Sequence, residues 1–312
     1  MGEAQLSGSE SIKKHPPFFQ IRELRRFALE HPFTFWGGVV LPLALWAVFN
    51  AYPIVRTISL SLFKWDGLSP TMEFVGLQNF IDLVKDPIFR PTLLNNLKWA
   101  IFTLVFPVGG GLLLAIILQS KKIYFSKFFR TLFFLPATMS MATVGIVFRL
   151  ILNPSFGGVN QLLRSIGLQN LILDWLGDPN VALYVLIAVF GWYYLGTPMV
   201  LFFAGIGEIP TELIEAADME GVNFWQKIRY VTFPMLKPVT VITVALAIIQ
   251  SLKAFDLVMV MTRGGPANAT SVLGYMMYKE SFLMNQFGYG AAVSVVILLL
   301  SVGFAAIYFH EM

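Results

Sequence analysis

The chain has 312 residues, of which 56% are hydrophobic and only 13% charged, with a formal net charge of +4. Soluble globular domains carry about 45–50% apolar and about 25% charged residues, so this composition points to a bilayer as solvent. The charge is too small for a nucleic-acid footprint, and the absence of cysteine excludes disulfides, thiolate metal sites and cysteine nucleophiles.

Residues 1–30 are polar and basic, with Lys13, Lys14, Arg22, Arg25 and Arg26. They hold no short apolar run with a small-residue cleavage site, so no removable secretory signal is expected and the segment reads as an N-terminal arm. A helix needs about 20 apolar residues to cross the hydrocarbon core. Six stretches qualify, at roughly 35–62, 97–119, 131–152, 181–206, 238–261 and 289–309. Backbone groups in lipid must pair internally, so the predicted fold is an all-α membrane protein with six transmembrane helices. No alternating strand pattern is visible.

In chain order, residues 31–96 read as a first transmembrane helix and its outer loop, and 97–312 as a five-helix core. Pro70, Gly76, Pro87 and Pro91 mark residues 69–96 as loop with room for one short helix. Gly109, Gly110 and Gly111 in the second stretch suit close helix packing. Asn153-Pro154 and Gly157-Gly158 form a turn after the third stretch, and Arg263-Gly264-Gly265-Pro266 another after the fifth. The fifth stretch is the least clean, because Gln250, Ser251, Lys253 and Asp256 interrupt it.

Lysine and arginine set the orientation. The arm, the loop with Lys121, Lys122, Lys127 and Arg130, and the loop with Lys227, Arg229 and Lys237 fall on one side of six spans. That side is expected to be cytoplasmic, with both termini on it.

The polar segment 207–238 therefore faces the cytoplasm. Thr211 after Pro210 can cap a helix, and Glu212 and Glu215 suit its positive end. Gly221 permits a sharp turn. A second helix is predicted from about Asn223 to Tyr230, with Phe224, Trp225, Ile228 and Val231 on its apolar side. Pro234 and Pro238 then redirect the chain into the fifth stretch. The expected product is a rigid helical knob; an amphipathic helix lying in the membrane interface explains Trp225 and Lys227 but not the spacing of the residues around them.

That spacing runs Glu215-Ala216-Ala217, Gly221, Ile228 and Pro234. It resembles the ATPase-docking loop of type I ABC importer permeases, in the carbohydrate-uptake branch. Further segments match by pattern: Phe129 to Pro136, Asn153-Pro154, Gly157-Gly158 and Asn160, Phe255-Asp256 with Thr262 to Pro266, and Phe287 to Ala292. The resemblance covers about residues 30–310. Glu220 stands where the family has Asp, and Phe233 where it has Leu; neither removes the geometry.

The resemblance implies a MetI-like fold with cytoplasmic coupling helices, in a bacterial or archaeal inner membrane. It implies a second permease, commonly a different chain, two ATPase subunits and an extracytoplasmic binding protein. Glu215, Ala216, Ala217, Gly221, Ile228 and Pro234 would couple to the ATPase, Glu215 through charge-assisted hydrogen bonds. Carried onto this chain, the family's sugar site falls on Ala247, Gln250, Ser251 and Ala254, with Gly196 and Met199; Trp192, Tyr193 and Tyr194 offer rings for stacking. By helical spacing Gln250, Ala254 and Leu257 share one face.

The chain carries no Gly-x-x-x-x-Gly-Lys-Ser/Thr phosphate cradle, so ATP and Mg belong to the partner and no cofactor or enzyme activity is expected here. His15, His31 and His310 are scattered, and no metal site is expected. Serine and glutamine also join helices by hydrogen bonds, and Lys253 and Asp256 can pair with each other. An ion-coupled secondary transporter needs midplane carboxylates, for which Asp256 is the one candidate. An intramembrane enzyme needs paired carboxylates, a His-Glu-x-x-His helix or a nucleophile with its base, and none occurs. Neutral sugars and anionic solutes such as glycerol phosphate remain open, since Lys253 and Arg149 are cationic.

Overall fold

The computed structural model describes residue 33 and residues 36–120 and 123–310. The basic N-terminal arm, Lys121 and Lys122 lie outside the described residues. The chain divides between Arg56 and Thr57 into two compact units. Helix α1 (Trp36–Leu60) crosses that division, and none of its residues is buried. Its long apolar surface suits lipid or another apolar chain.

In the second unit a two-residue hairpin follows, β1 (Phe63–Lys64) antiparallel to β2 (Glu73–Phe74), with Phe63 opposite Phe74. These are the only strands among the described residues. The hairpin turn is held by Asp66, whose carboxylate accepts the Leu68 and Ser69 amides and the Ser69 hydroxyl. Those bonds hold its pKa down at about 2. Helix α2 (Gln78–Lys85) supplies Asn79, which donates to the Ser61 and Phe63 carbonyls and ties the hairpin down.

Helix α3 (Phe89–Gln119) starts well before the predicted residue 97. Pro91 sits in its first turn, where a missing N–H costs nothing, so a proline that reads as loop punctuation is here a helix start. The third predicted stretch is also different. It is a bent pair, α4 (Ser126–Thr138) and α5 (Met141–Ile151), meeting at 94°. Pro136 lies in the tight last turn of α4, and the chain is extended at Met139 and Ser140. Helix α6 (Gly158–Ser165) is short and lies in the loop that follows.

The centre of the unit is α7 (Ala182–Gly207) packed on α3. A Cβ on Gly111 would lie 2.8 Å from the Met199 nitrogen, so the two backbones are in close contact. Association in lipid rests on such packing rather than on a hydrophobic drive between helices. Trp99 of α3 meets Phe190 of α7 edge-on at 5.5 Å, and Phe190 stacks on Tyr194 at 5.4 Å. Trp99, Phe190, Phe202, Met199 and Leu257 are all buried. Arg130 of α4 lies over the Phe203 ring at 4.1 Å.

Helix α8 (Thr211–Met219) and helix α9 (Phe224–Lys227, continued through Ile228–Thr232 and Phe233–Met235) form the polar excursion. The fifth predicted stretch breaks in two, α10 (Lys237–Leu252) and α11 (Asp256–Met261). Helix α10 packs on α3 and on the last helix, and α11 packs on α5. Helix α12 (Leu273–Tyr278, continued through Lys279–Leu283) precedes α13 (Phe287–His310). The Tyr289 hydroxyl of α13 donates to Asp86 at 2.9 Å, fixing the top of α13 to the end of α2. With the bent pair taken as one span, the described residues hold up to six helices that can cross a membrane.

Candidate functional site

The knob between α7 and α10 is held by four local devices. Pro210, not Thr211, occupies the N-cap position of α8, and no side chain caps that end. Glu212 lies in the first turn, where the helix dipole favours it. At the other end Gly221 has φ +70°, with its amide bonded to the Asp218 carbonyl at 3.1 Å and the Val222 amide to Ala217 at 3.4 Å. A left-handed glycine closing the last carbonyls in this way stops a helix abruptly. Asn223 then starts α9 through a reciprocal capping box with Gln226, at 2.9 and 2.8 Å. Lys227 of α9 pairs with Asp218 of α8 across the turn.

This frame decides which side chains face out. Glu215 and Ala216 are exposed, Ala217 is buried, and Ile228 is half-buried. Pro234 is exposed within the helical continuation of α9. Ile214 packs on the main core, which plants the knob in the bundle. Met219, Phe224 and Trp225 are exposed beside Glu215 in the sequence of the knob, at 89%, 55% and 71%. That much apolar surface on a projecting loop suits a protein surface.

The pathway candidates separate into two groups. Met199, Ala247, Ser251, Ala254 and Tyr194 are all buried within the unit. Gly196 is buried too, packed directly on the Phe133–Phe134 backbone. Trp192 and Gln250 reach the surface; Trp192 packs edge-on against Phe148 at 5.4 Å. Lys253 and Asp256 are also exposed, and they form no ion pair with each other among the described residues. The expected common face of Gln250, Ala254 and Leu257 does not form. The helix breaks after Leu252, so Gln250 points outward while Ala254 and Leu257 turn into the core.

Two residues that the sequence placed at the end of a loop stand out. Asn95 and Asn96 of α3 are buried. Asn95 donates to the carbonyls of Ala269 and Ser271, both at 2.9 Å. Asn96 donates to the Ser251 carbonyl at 3.1 Å and accepts the Leu273 amide at 2.7 Å. The available signal was the adjacent amide pair on the edge of an apolar run. Among the described residues no cluster of acidic or histidine side chains could hold a metal.

Comparison with known proteins agrees with this architecture. The chain is 36% identical over 263 residues to the probable ABC transporter permease protein YurN of Bacillus subtilis, covering 84% of this chain and 90% of that one. It is 35% identical over 268 residues to the lactose transport system permease protein LacF of Rhizobium radiobacter, covering 85% and 89%. It is 35% identical over 256 residues to the arabinooligosaccharides transport system permease protein AraP of Halalkalibacterium halodurans, covering 81% and 79%. Among solved structures, one chain of a bacterial ABC transporter that imports the acidic polysaccharide alginate superposes with a TM-score of 0.77 at 21% identity, over 93% of this chain and 96% of that one. That likeness shows the fold. The family described as binding-protein-dependent transport system inner membrane component matches residues 109–311, and with these relatives it places the chain in that family.

Proposed function

We propose that this chain is the permease subunit of an ATP-driven, binding-protein-dependent importer of sugars or oligosaccharides. It forms half of the pathway, and a second, different permease forms the other half. Two ATPase subunits hold ATP and Mg and hydrolyse the nucleotide, and an extracytoplasmic binding protein delivers the substrate. The relatives named for lactose and arabinooligosaccharides support the sugar class. Both termini and the knob lie in the cytoplasm, as the lysine and arginine distribution argues.

The observation that carries the reading is the knob itself: an unshared carboxylate at Glu215 on a capped, ion-paired, two-helix projection. Such a shape can pass rigid-body motion from the ATPase into α7 and α10. A single cysteine placed at Glu215, in a chain with no other thiol, is expected to crosslink to the ATPase subunit from the cytoplasmic side. Labelling of that cysteine from the outside, or no crosslink in the assembled transporter, would remove the docking role.

Gln250 is the polar pathway candidate that faces out from α10. Gln250→Ala is expected to raise the half-saturation concentration for uptake several-fold, about the 1 kcal/mol net scale of one hydrogen bond, without loss of assembly. Unchanged uptake kinetics would take Gln250 out of the site. A secondary transporter would need ion-coupling carboxylates at mid-depth, and Asp256 is the only acidic residue within the spans. The exposed cations Lys253 and Arg149 favour an anionic solute such as glycerol phosphate as the second reading. A ligand screen on the cognate binding protein separates the two.

A further inference from the structure

Asn96 makes contacts that a packing role does not require. At the break after Leu252 the Phe255 amide bonds to Lys253 at 2.7 Å, so the Ser251 carbonyl loses its i+4 helical partner and keeps a long backbone bond from the Ala254 amide, at 3.4 Å. Leu273 is the first residue of α12, where amides also lack helical partners. The Asn96 side chain serves both, giving its N–H to Ser251 and accepting from Leu273. One amide thus caps the end of α10 and the start of α12. Its neighbour Asn95 holds the two carbonyls of Ala269 and Ser271 just before α12. The turn between α11 and α12 is further closed on itself by the Thr262 and Thr270 hydroxyls, 2.7 Å apart, and by Thr270 donating to Gly265. A closed turn of this kind moves as a body.

We propose that Asn96 is a positioning residue for transport: it locks the break in α10–α11 to the 263–272 turn, so that a displacement of the turn moves Gln250, Lys253 and Asp256 with it. The proposal rests on the reading of α10–α11 as pathway-lining and of the knob as cytoplasmic; the turn, one span beyond the knob, then lies on the outer side, from which the binding protein delivers substrate. It adds the mechanical link between those two places. Buried amide networks of this kind are rigid only when every member is satisfied, and losing the central one frees both helix ends at once.

The absence of native cysteine makes the link measurable. In the complete transporter in proteoliposomes, Lys253→Cys is labelled with a small water-soluble thiol reagent, with and without substrate-loaded binding protein. In the otherwise unchanged chain the binding protein is expected to change the labelling rate. With Asn96→Leu, which keeps the size and removes both bonds, that change is expected to shrink about fivefold or more. A merely stabilising Asn96 would lower the amount of assembled protein but leave the response of the assembled fraction intact. A response within about twofold of the parent overturns the proposal. Where Asn96→Leu fails to assemble, Asn96→Ala carries the test. It removes the same two bonds without adding apolar bulk; a lost response supports the link, and an unchanged one overturns it. Failure of the pathway reading is visible separately, as normal uptake in Gln250→Ala with the labelling response still dependent on Asn96.

Discussion

Gly221→Val is expected to cut coupled uptake by about tenfold or more while the chain still inserts and the assembled ATPase still turns over. Nothing lies within 4 Å of where a Cβ would stand, so the effect does not come from a clash. It comes from the backbone. Gly221 sits at φ +70°, and a residue with a Cβ in that region costs roughly 1–2 kcal/mol, more for a branched one. The inexpensive way out is to leave the left-handed region, which opens the bonds from Gly221 and Val222 back to Asp218 and Ala217. The angle between α8 and α9 then changes, and the Asp218–Lys227 pair across the turn is lost. That pair is exposed and worth little by itself, so it cannot hold the angle against the strain. Glu215, Met219 and Trp225 no longer present one fixed surface. Asparagine tolerates the left-handed region, so Gly221→Asn is expected to keep most of the coupling. Uptake per ATP measured in the two variants decides the matter. Equal coupling in valine and parent chains would mean that the turn does not set the docking geometry.

Gly196→Val is expected to lower sharply the yield of folded protein and the thermal stability of what is recovered. A Cβ there would stand 2.4 Å from the Phe133 carbonyl oxygen and 2.6 Å from the Phe134 Cα. Both are backbone atoms of α4, in the segment leading to the bend, and cannot swing aside as a flexible side chain would. Overpacking of this kind costs about 1–3 kcal/mol at least, and more where backbone must shift. Gly207→Ala, with nothing within 4 Å, is the control and is expected to be silent. Thermal aggregation of the detergent-purified chain reports the difference. If Gly196→Val were as stable as the parent and only its uptake changed, the glycine would serve substrate passage rather than the α4–α7 contact.

The parts of this molecule that were legible in the sequence are those whose signals are local. The long apolar runs gave five of the crossing helices directly, because hydropathy depends only on neighbours along the chain. The knob was legible for the same reason: the Gly221 turn and a second helix starting near Asn223 are written within a few residues, although the cap lies in the Asn223–Gln226 box and not at Thr211, where it was expected. Where the reading failed, a distant partner decides the structure. Pro91 reads as a loop unless one knows that a helix begins two residues before it. The third span reads as continuous, since Pro136 alone does not fix a bend of 94°. Gln250, Ala254 and Leu257 share a face only on an unbroken helix. The break is stabilised by Asn96, which lies far away in sequence. The pathway candidates were hardest, because burial within one chain is a tertiary property. Composition could not tell that Met199 and Ala247 point inward while Gln250 points out.

The corner between α4 and α5 limits what can stand beside it. Helix α5 has 11 residues. At about 1.5 Å per residue it reaches some half of a ~30 Å hydrocarbon layer. Met139 and Ser140 at the corner are exposed, and the Tyr193 hydroxyl reaches the Met139 carbonyl at 3.4 Å. Where α4 and α5 together make one crossing, the corner falls inside the hydrocarbon layer, and irregular backbone there is tolerated only against protein or water. On that arrangement a sister subunit or a column of water, not acyl chains, stands beside the corner.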